Sequence, residues 1–173
     1  MPHTPELLDE FTDQNGVSLL ALSRRQPVLV VFLRHSGCTF CRQALADLRR
    51  ERQQIVRQGT EIALVFMESL ERAGRFAAEY GLGDVPRISD PQQRLYAAFE
   101  LSRGAVGRVA GPRVWWRGLW AVLAGHFPGV PHGDVTQMPG AFLVHQGQIV
   151  KSYRHATSAD RPDYCELALP VHT

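Results

Sequence analysis

Apolar residues along the chain fall partly into unbroken runs and partly into helical spacing, and the changes between the two mark out the elements. Val28–Arg34 (VLVVFLR) is a continuous apolar run followed by His35-Ser36-Gly37, which predicts a buried strand ending in a turn. From Thr39 the period becomes helical, with Phe40, Ala44, Leu45 and Leu48 on one side, so a helix is predicted from Thr39 to about Gln58, closed by Gly59. Glu61–Met67 (EIALVFM) is a second apolar strand, parallel to the first because a helical crossover separates them. Ser69 is placed to cap a helix through Tyr80, with Gly81 and Gly83 ending it. Ser89–Pro91 opens a short helix, Gln92–Phe99. Gly140–Val144 and Gln148–Arg154 read as a hairpin around Gln146-Gly147, and Arg161–Leu169 as a terminal helix with Pro162 near its first turn. Before all of these, Asp13–Leu22 reads as a turn at Asn15-Gly16 leading into a short strand or extended segment.

This order gives an α/β fold, a central mixed β-sheet flanked by helices, expected as one domain over residues 1–173. An insertion at about residues 101–137 interrupts it. The insertion begins rich in Gly and Arg and ends rich in Pro and Gly, with a helix candidate, Arg113–Ala124, in the middle. Trp115, Leu119 and Val122 form one row of that helix and Trp116, Trp120 and Leu123 the next, flanked by Arg113 and Arg117. The first expectation is a helix packed over the sheet edge or the rim of a site. A homodimer through the Trp115–Trp120 helix is the second reading, and a membrane-surface contact the third.

Charge excludes little but does exclude something. A formal net charge of +2 is too small to imply nucleic-acid binding. Residues 1–25 hold Glu6, Asp9, Glu10 and Asp13 and no apolar block, so they do not read as a secretory signal, and no apolar stretch is long enough for a spanning helix. Three cysteines, two of them closely paired, do not make a secreted disulfide framework, so the cytoplasm is the expected location.

The pair is Cys38 and Cys41, a Cys-x-x-Cys spaced across a strand-to-helix junction. There, unpaired N–H groups and the helix dipole stabilise a thiolate, the form of cysteine that attacks disulfides and peroxides. Cys38, at an exposed first turn, is expected to be the low-pKa nucleophile. Cys41, one turn in, is expected to resolve the adduct. Arg34 and His35 flank the turn and are candidates for lowering the Cys38 pKa, although each also fits as a strand-end or turn residue. Thr39 and Phe40 lie between the cysteines, and their amides are expected to support the thiolate. A metal reading needs two further ligands at suitable spacing. None of the seven histidines supplies them, so no metal and no cofactor is expected. Cys165, beside Tyr164 and Leu167, reads as a structural thiol.

Four segments carry a family likeness: VVFLRHSGCTFCRQ (Val30–Gln43), ISDPQQRLYAAFEL (Ile88–Leu101), MPGAFLVHQGQIV (Met138–Val150) and RHATSADRPDY (Arg154–Tyr164). On these the chain, from about Phe11 to Leu169, resembles the peroxiredoxin-like branch of the thioredoxin superfamily, which groups with the AhpC/TSA and selenoprotein-L-like proteins. The resemblance implies a thioredoxin-like fold and a thiol-based oxidoreductase with Cys38 at the reactive position. It also implies that Met138-Pro139 carries a cis bond facing the cysteines, with Gly147 closing the hairpin, and that the Met138 backbone offers a docking edge to a disulfide.

The chain departs from typical peroxiredoxins. They carry Thr or Ser three residues before the reactive cysteine, a Pro four residues earlier still, and an arginine before the late strand; here these places hold His35, Val31 and Pro139. Each missing polar partner costs on the order of 3 kcal/mol of transition-state stabilisation, about a hundredfold in rate. Thiol–disulfide exchange is therefore the first expectation. Peroxide reduction through a Cys38 sulfenic acid is the second, and a non-enzymatic redox-sensing module the third. The expected partners are a disulfide or peroxide substrate and an external thiol reductant.

Overall fold

The computed structural model describes residues 5–101, 112–126, 137–157 and 159–171. Five strands form one sheet: β1 (Val28–Phe32), β2 (Glu61–Phe66), β3 (Arg87–Ser89), β4 (Gly140–His145) and β5 (Gln148–Arg154), in the order β3-β2-β1-β4-β5. β1 is central. It pairs parallel with β2, Val28 opposite Glu61 and Phe32 opposite Val65, and antiparallel with β4, Val28 opposite Val144 and Phe32 opposite Gly140. β3 is parallel to β2 and β5 antiparallel to β4.

The run of apolar residues in β1 is unbroken because both faces of the sheet are covered. Leu29, Val31 and Leu33 point to one side, where they join Leu45, Leu48 and Ile55 of α3 (Thr39–Arg57), Phe76 of α4 (Leu70–Glu79) and Tyr164. Val28, Val30 and Phe32 point to the other, against α1 (Pro5–Glu10), α2 (Leu19–Arg25) and α5 (Arg94–Ala98). On that second face Phe32 packs between Tyr96, Phe99 and Phe142, with ring centroids 5.0, 4.8 and 5.6 Å away. The Tyr96 hydroxyl donates to the Leu33 carbonyl and lies 3.2 Å from that of Val65, holding the end of β1 where the cysteine turn begins.

Most predicted elements form where their patterns put them, with five corrections. The Asn15-Gly16 turn forms, Gly16 at φ +78°, and Asp13 accepts from the N–H groups of Asn15 and Val17. The segment after this turn is not extended but helix α2, because the Ser18 side chain accepts from Ala21 N–H as an N-cap and Leu19, Leu20 and Leu22 share a buried side. α1 was not signalled by any apolar block; Leu8 is its one buried residue. β3 forms where only a helix start was expected, and α5 begins at Arg94 rather than Gln92, because the Asp90 carboxylate accepts from Arg94 and Leu95 N–H. The terminal helix is reduced to α7 (Tyr164–Leu167), capped by Asp163, with Pro162 ahead of the cap.

The insertion helix is present as α6 (Pro112–Leu123). The remainder of the predicted insertion, 102–111 and 127–136, lies outside the described residues, as does the Arg113 side chain. Among the described residues no helix is long and apolar enough to cross a membrane.

Candidate active site

The site is built where β1 runs out. Cys38 is the N-cap residue of α3; its N–H donates to the His35 carbonyl at 3.0 Å, and its carbonyl accepts from Arg42 N–H at 3.1 Å. Cys41 lies one turn further in, and its Sγ accepts the Arg34 N–H at 3.2 Å. The turn ahead of Cys38 is held from outside. The Glu68 carboxylate accepts from Ser36 N–H at 3.1 Å and from Ser36 Oγ at 3.0 Å, while Arg42 Nε donates to the Ser36 carbonyl at 3.1 Å.

Electrostatics divide the two thiols. Cys38 is lowered from an ordinary 9.0 to about 6, chiefly by a hydrogen bond from the Cys41 thiol. The Arg34 guanidinium and the N–H groups of Cys41 and Phe40 add to this, against the opposing effect of burial. Cys41 is pushed well above its ordinary range by burial and by its bond to Cys38. At neutral pH the pair is therefore one thiolate and one thiol. The supporting amides are those of Phe40 and Cys41, one residue later than the expected Thr39 and Phe40. His35 enters through its main-chain carbonyl. Arg42 turns away from the sulfurs, its guanidinium 5.3 Å above the Phe76 ring and 3.8 Å from Glu79.

Two expectations need correcting. Cys38 is not at an exposed turn: it is 7% accessible, and Cys41 3%. No described peptide bond is cis, so Met138-Pro139 is trans. Met138 itself is buried, and its carbonyl lies 3.4 Å from Gln137 Nε2 instead of forming an open edge.

The sulfurs face a cavity of about 10 Å³, room for about one water, lined by Cys38, Phe40, Cys41, Pro139, His155, Asp160 and Tyr164 together with the end of β1. Phe40 and Pro139 thus reach the cavity; Thr39 and Met138 are not among its walls.

His155, Asp160 and Tyr164 escaped the sequence reading as site residues. Their segment carried part of the family likeness, but only the return of β5 across the sheet brings it to the cysteines. His155 N–H donates to the Pro139 carbonyl at 3.4 Å, and burial lowers the imidazole to about 4, so it is neutral at pH 7. Among the described residues its Nδ1 is buried with no hydrogen-bond partner. Asp160 accepts from Ala156 and Thr157 N–H and closes the loop beneath the histidine. Glu68 was also missed, since a carboxylate after an apolar strand carries no signal of its own.

Cys165 packs beside Glu51, its Sγ 4.0 Å from the Glu51 carbonyl. Glu51 is ten residues along α3 from Cys41, about 15 Å at helical rise, which keeps Cys165 out of reach of the pair. Glu51, Asp163 and Cys165 bring possible ligand atoms within 4.8 Å of one another, but burial holds the thiol above its ordinary range, which disfavours the thiolate a metal would need.

No curated protein matches the chain. Among solved structures, a cysteine-to-serine mutant of Xanthomonas campestris peroxiredoxin Q is similar with a TM-score of 0.62 at 17% identity, over 89% of this chain and 86% of that one. Peroxidoxin BcpB from Mycobacterium tuberculosis gives 0.59 at 19%, over 92% and 87%. A mutant of peroxiredoxin 6 from Arenicola marina gives 0.64 at 9%, over 92% and 67%. At these identities the likeness is one of fold. The family model described as AhpC/TSA antioxidant enzyme matches residues 47–158, well over half of the 173 and beginning just after the cysteine pair. With that match joined to the fold, the chain belongs to the AhpC/TSA antioxidant enzyme family, peroxiredoxin-like thiol oxidoreductases built on the thioredoxin fold.

Proposed function

We propose that the protein is a cytoplasmic thiol peroxidase in which Cys38 attacks a small peroxide and Cys41 resolves the product. The observation that carries this reading is the enclosure of the sulfurs. A cavity of about 10 Å³ around a thiolate 7% accessible favours a substrate little larger than water over a protein disulfide, which must lay a strand across its target. Of the two chemistries expected from sequence, the enclosed site favours peroxide.

The Cys38 thiolate attacks the terminal peroxide oxygen, breaking the O–O bond. The hydroxyl proton of the attacked oxygen passes through His155 Nδ1 to the departing oxygen, leaving a Cys38 sulfenate and an alcohol, or water from hydrogen peroxide. The neutral imidazole, its Nδ1 unbonded, thereby takes the place of the threonine hydroxyl and arginine of typical peroxiredoxins. The sulfenate takes a proton from solvent; the Cys41 thiol condenses with it, forming the Cys38–Cys41 disulfide and releasing water. An external thiol reductant supplies the two electrons that reopen the disulfide, two thiols becoming one disulfide. Phe40 and Pro139 wall the peroxide in, and Arg34 holds the thiolate charge.

The test is a pair of single-turnover experiments with hydrogen peroxide. Cys41→Ser is expected to consume one peroxide per chain and to hold a sulfenic acid on Cys38 that dimedone traps; Cys38→Ser is expected to consume none. His155→Ala should slow the step about a hundredfold. Rapid reduction of insulin disulfides by the native protein with slow peroxide consumption would replace this reading with thiol–disulfide exchange.

A further inference from the structure

The walls of the cysteine cavity differ in depth. Those from β1 are buried, as are both cysteines, Pro139 and Tyr164, whereas Phe40, Ala44, His155 and Asp160 are half-buried. These four form the rim that a substrate must pass to reach Cys38. Phe40 and Ala44 belong to α3, and His155 and Asp160 to the segment after β5. Ala44 offers only a methyl, so the aromatic ring of Phe40 is the bulk on the α3 part of the rim.

That ring is covered by α6, which packs on α3 with Val114 and Ala121 buried. A Cβ at Gly118 would sit 3.8 Å from Phe40 Cζ, an ordinary contact, so the glycine lets the helix lie close over the ring. The preceding residue holds the rest of the rim: Arg117 Nη1 donates to the Ala159 carbonyl at 3.1 Å and lies 3.9 Å from the Asp160 carboxylate. Two neighbouring residues of one helix thus touch both elements that make the rim. In-line attack on a peroxide directs the departing oxygen, and whatever it carries, away from the sulfur. Hydrogen peroxide carries only a hydrogen there, and the cavity of about 10 Å³ suits it. An alkyl or aryl group would need the space that Phe40 fills. We propose that Phe40, held under Gly118 and Arg117 of α6, is the specificity-determining residue that restricts the site to hydrogen peroxide and shuts out organic hydroperoxides. This rests on the peroxidase reading of Cys38.

The test compares hydrogen peroxide with cumene hydroperoxide in single turnovers of the reduced full chain, each rate divided by that of free cysteine with the same peroxide. In both reactions the Cys38 thiolate takes the terminal oxygen and the O–O bond breaks, giving the sulfenate and either water or cumyl alcohol. The native protein is expected to favour hydrogen peroxide by about a hundredfold or more, since a single methylene in a pocket already changes rates by about tenfold or more. Phe40→Ala should raise the relative rate with cumene hydroperoxide by about tenfold or more, and Phe40→Leu, a milder change to the packing, by less. Arg117→Ala, which frees the 159–160 segment from α6, should raise it as well. Loss of folded protein lowers both rates together and leaves their ratio in place, so the ratio reports the rim. A native protein that consumes neither peroxide would overturn the peroxidase reading and this proposal with it. Consumption of both in the ratio of free cysteine, or a native ratio in both Phe40 variants, would overturn the proposal alone. A native ratio in Arg117→Ala would overturn the part given to α6.

Discussion

Arg161 grips Asp47 with both arms of its guanidinium, Nε to Oδ2 at 2.9 Å and a terminal nitrogen to Oδ1 at 2.6 Å. Asp47 is buried on α3, two turns beyond the cysteines, and Arg161 comes directly after the loop that carries His155 and Asp160. The contact fastens the last wall of the cavity to the helix that holds the sulfurs.

Arg161→Met should therefore loosen the wall. Arg50 remains 3.0 Å from Asp47, so the carboxylate keeps a partner, and half-exposed Arg161 contributes less than a buried pair would. The expected loss is about 1–2 kcal/mol of stability by denaturant titration. The single-turnover peroxide rate should fall while the pH at which Cys38 ionises stays in place. An unchanged rate would mean that the 155–161 loop needs no anchor.

Reactivity with iodoacetamide should report the division between the two thiols. Labelling of Cys38 should rise with pH through about 6 and level off well below 9.0, whereas Cys41 labels slowly throughout. Because folding lowers the Cys38 pKa, the native state favours the ionised form. This group's stabilisation is absent below about 6, grows as pH rises, and is complete above 9.0. Arg34→Met, by removing the cation that helps to lower the Cys38 pKa, should move the labelling midpoint upward. A midpoint near that of free cysteine in the native protein would remove the basis for Cys38 as nucleophile.

Glu68 accepts both polar hydrogens of Ser36 and so holds the turn ahead of the thiolate. Glu68→Gln replaces one acceptor oxygen with an N–H₂ donor and should cost about 1.5 kcal/mol of turn stabilisation. If that order is needed for attack, the peroxide rate measured by stopped flow falls about tenfold. Ser36→Ala removes the hydroxyl half of the same contact and should slow the reaction in the same direction. A full rate in both variants would show that attack does not depend on how this turn is held.

The sequence by itself determined the strand–turn–helix around Cys38 and Cys41, because an unbroken apolar run, a Gly37 turn and a switch to helical spacing are local signals that agree with one another. It also determined β2, α4 and the β4–β5 hairpin for the same reason. It misread the end of Asp13–Leu22, where the Ser18 cap and leucine spacing make helix α2, and missed β3, a three-residue strand that pairs with β2. Tertiary structure alone decided the chemistry of the site. Burial of Cys38 and the trans bond at Pro139 carry no local signal, and His155 reaches the cysteine cavity because β5 returns antiparallel to β4. The outward turn of the tryptophans was equally invisible, since helical spacing shows that α6 has an apolar face but not which face the protein covers; Val114 and Ala121 are the buried residues, and Gly118 lies over the Phe40 ring.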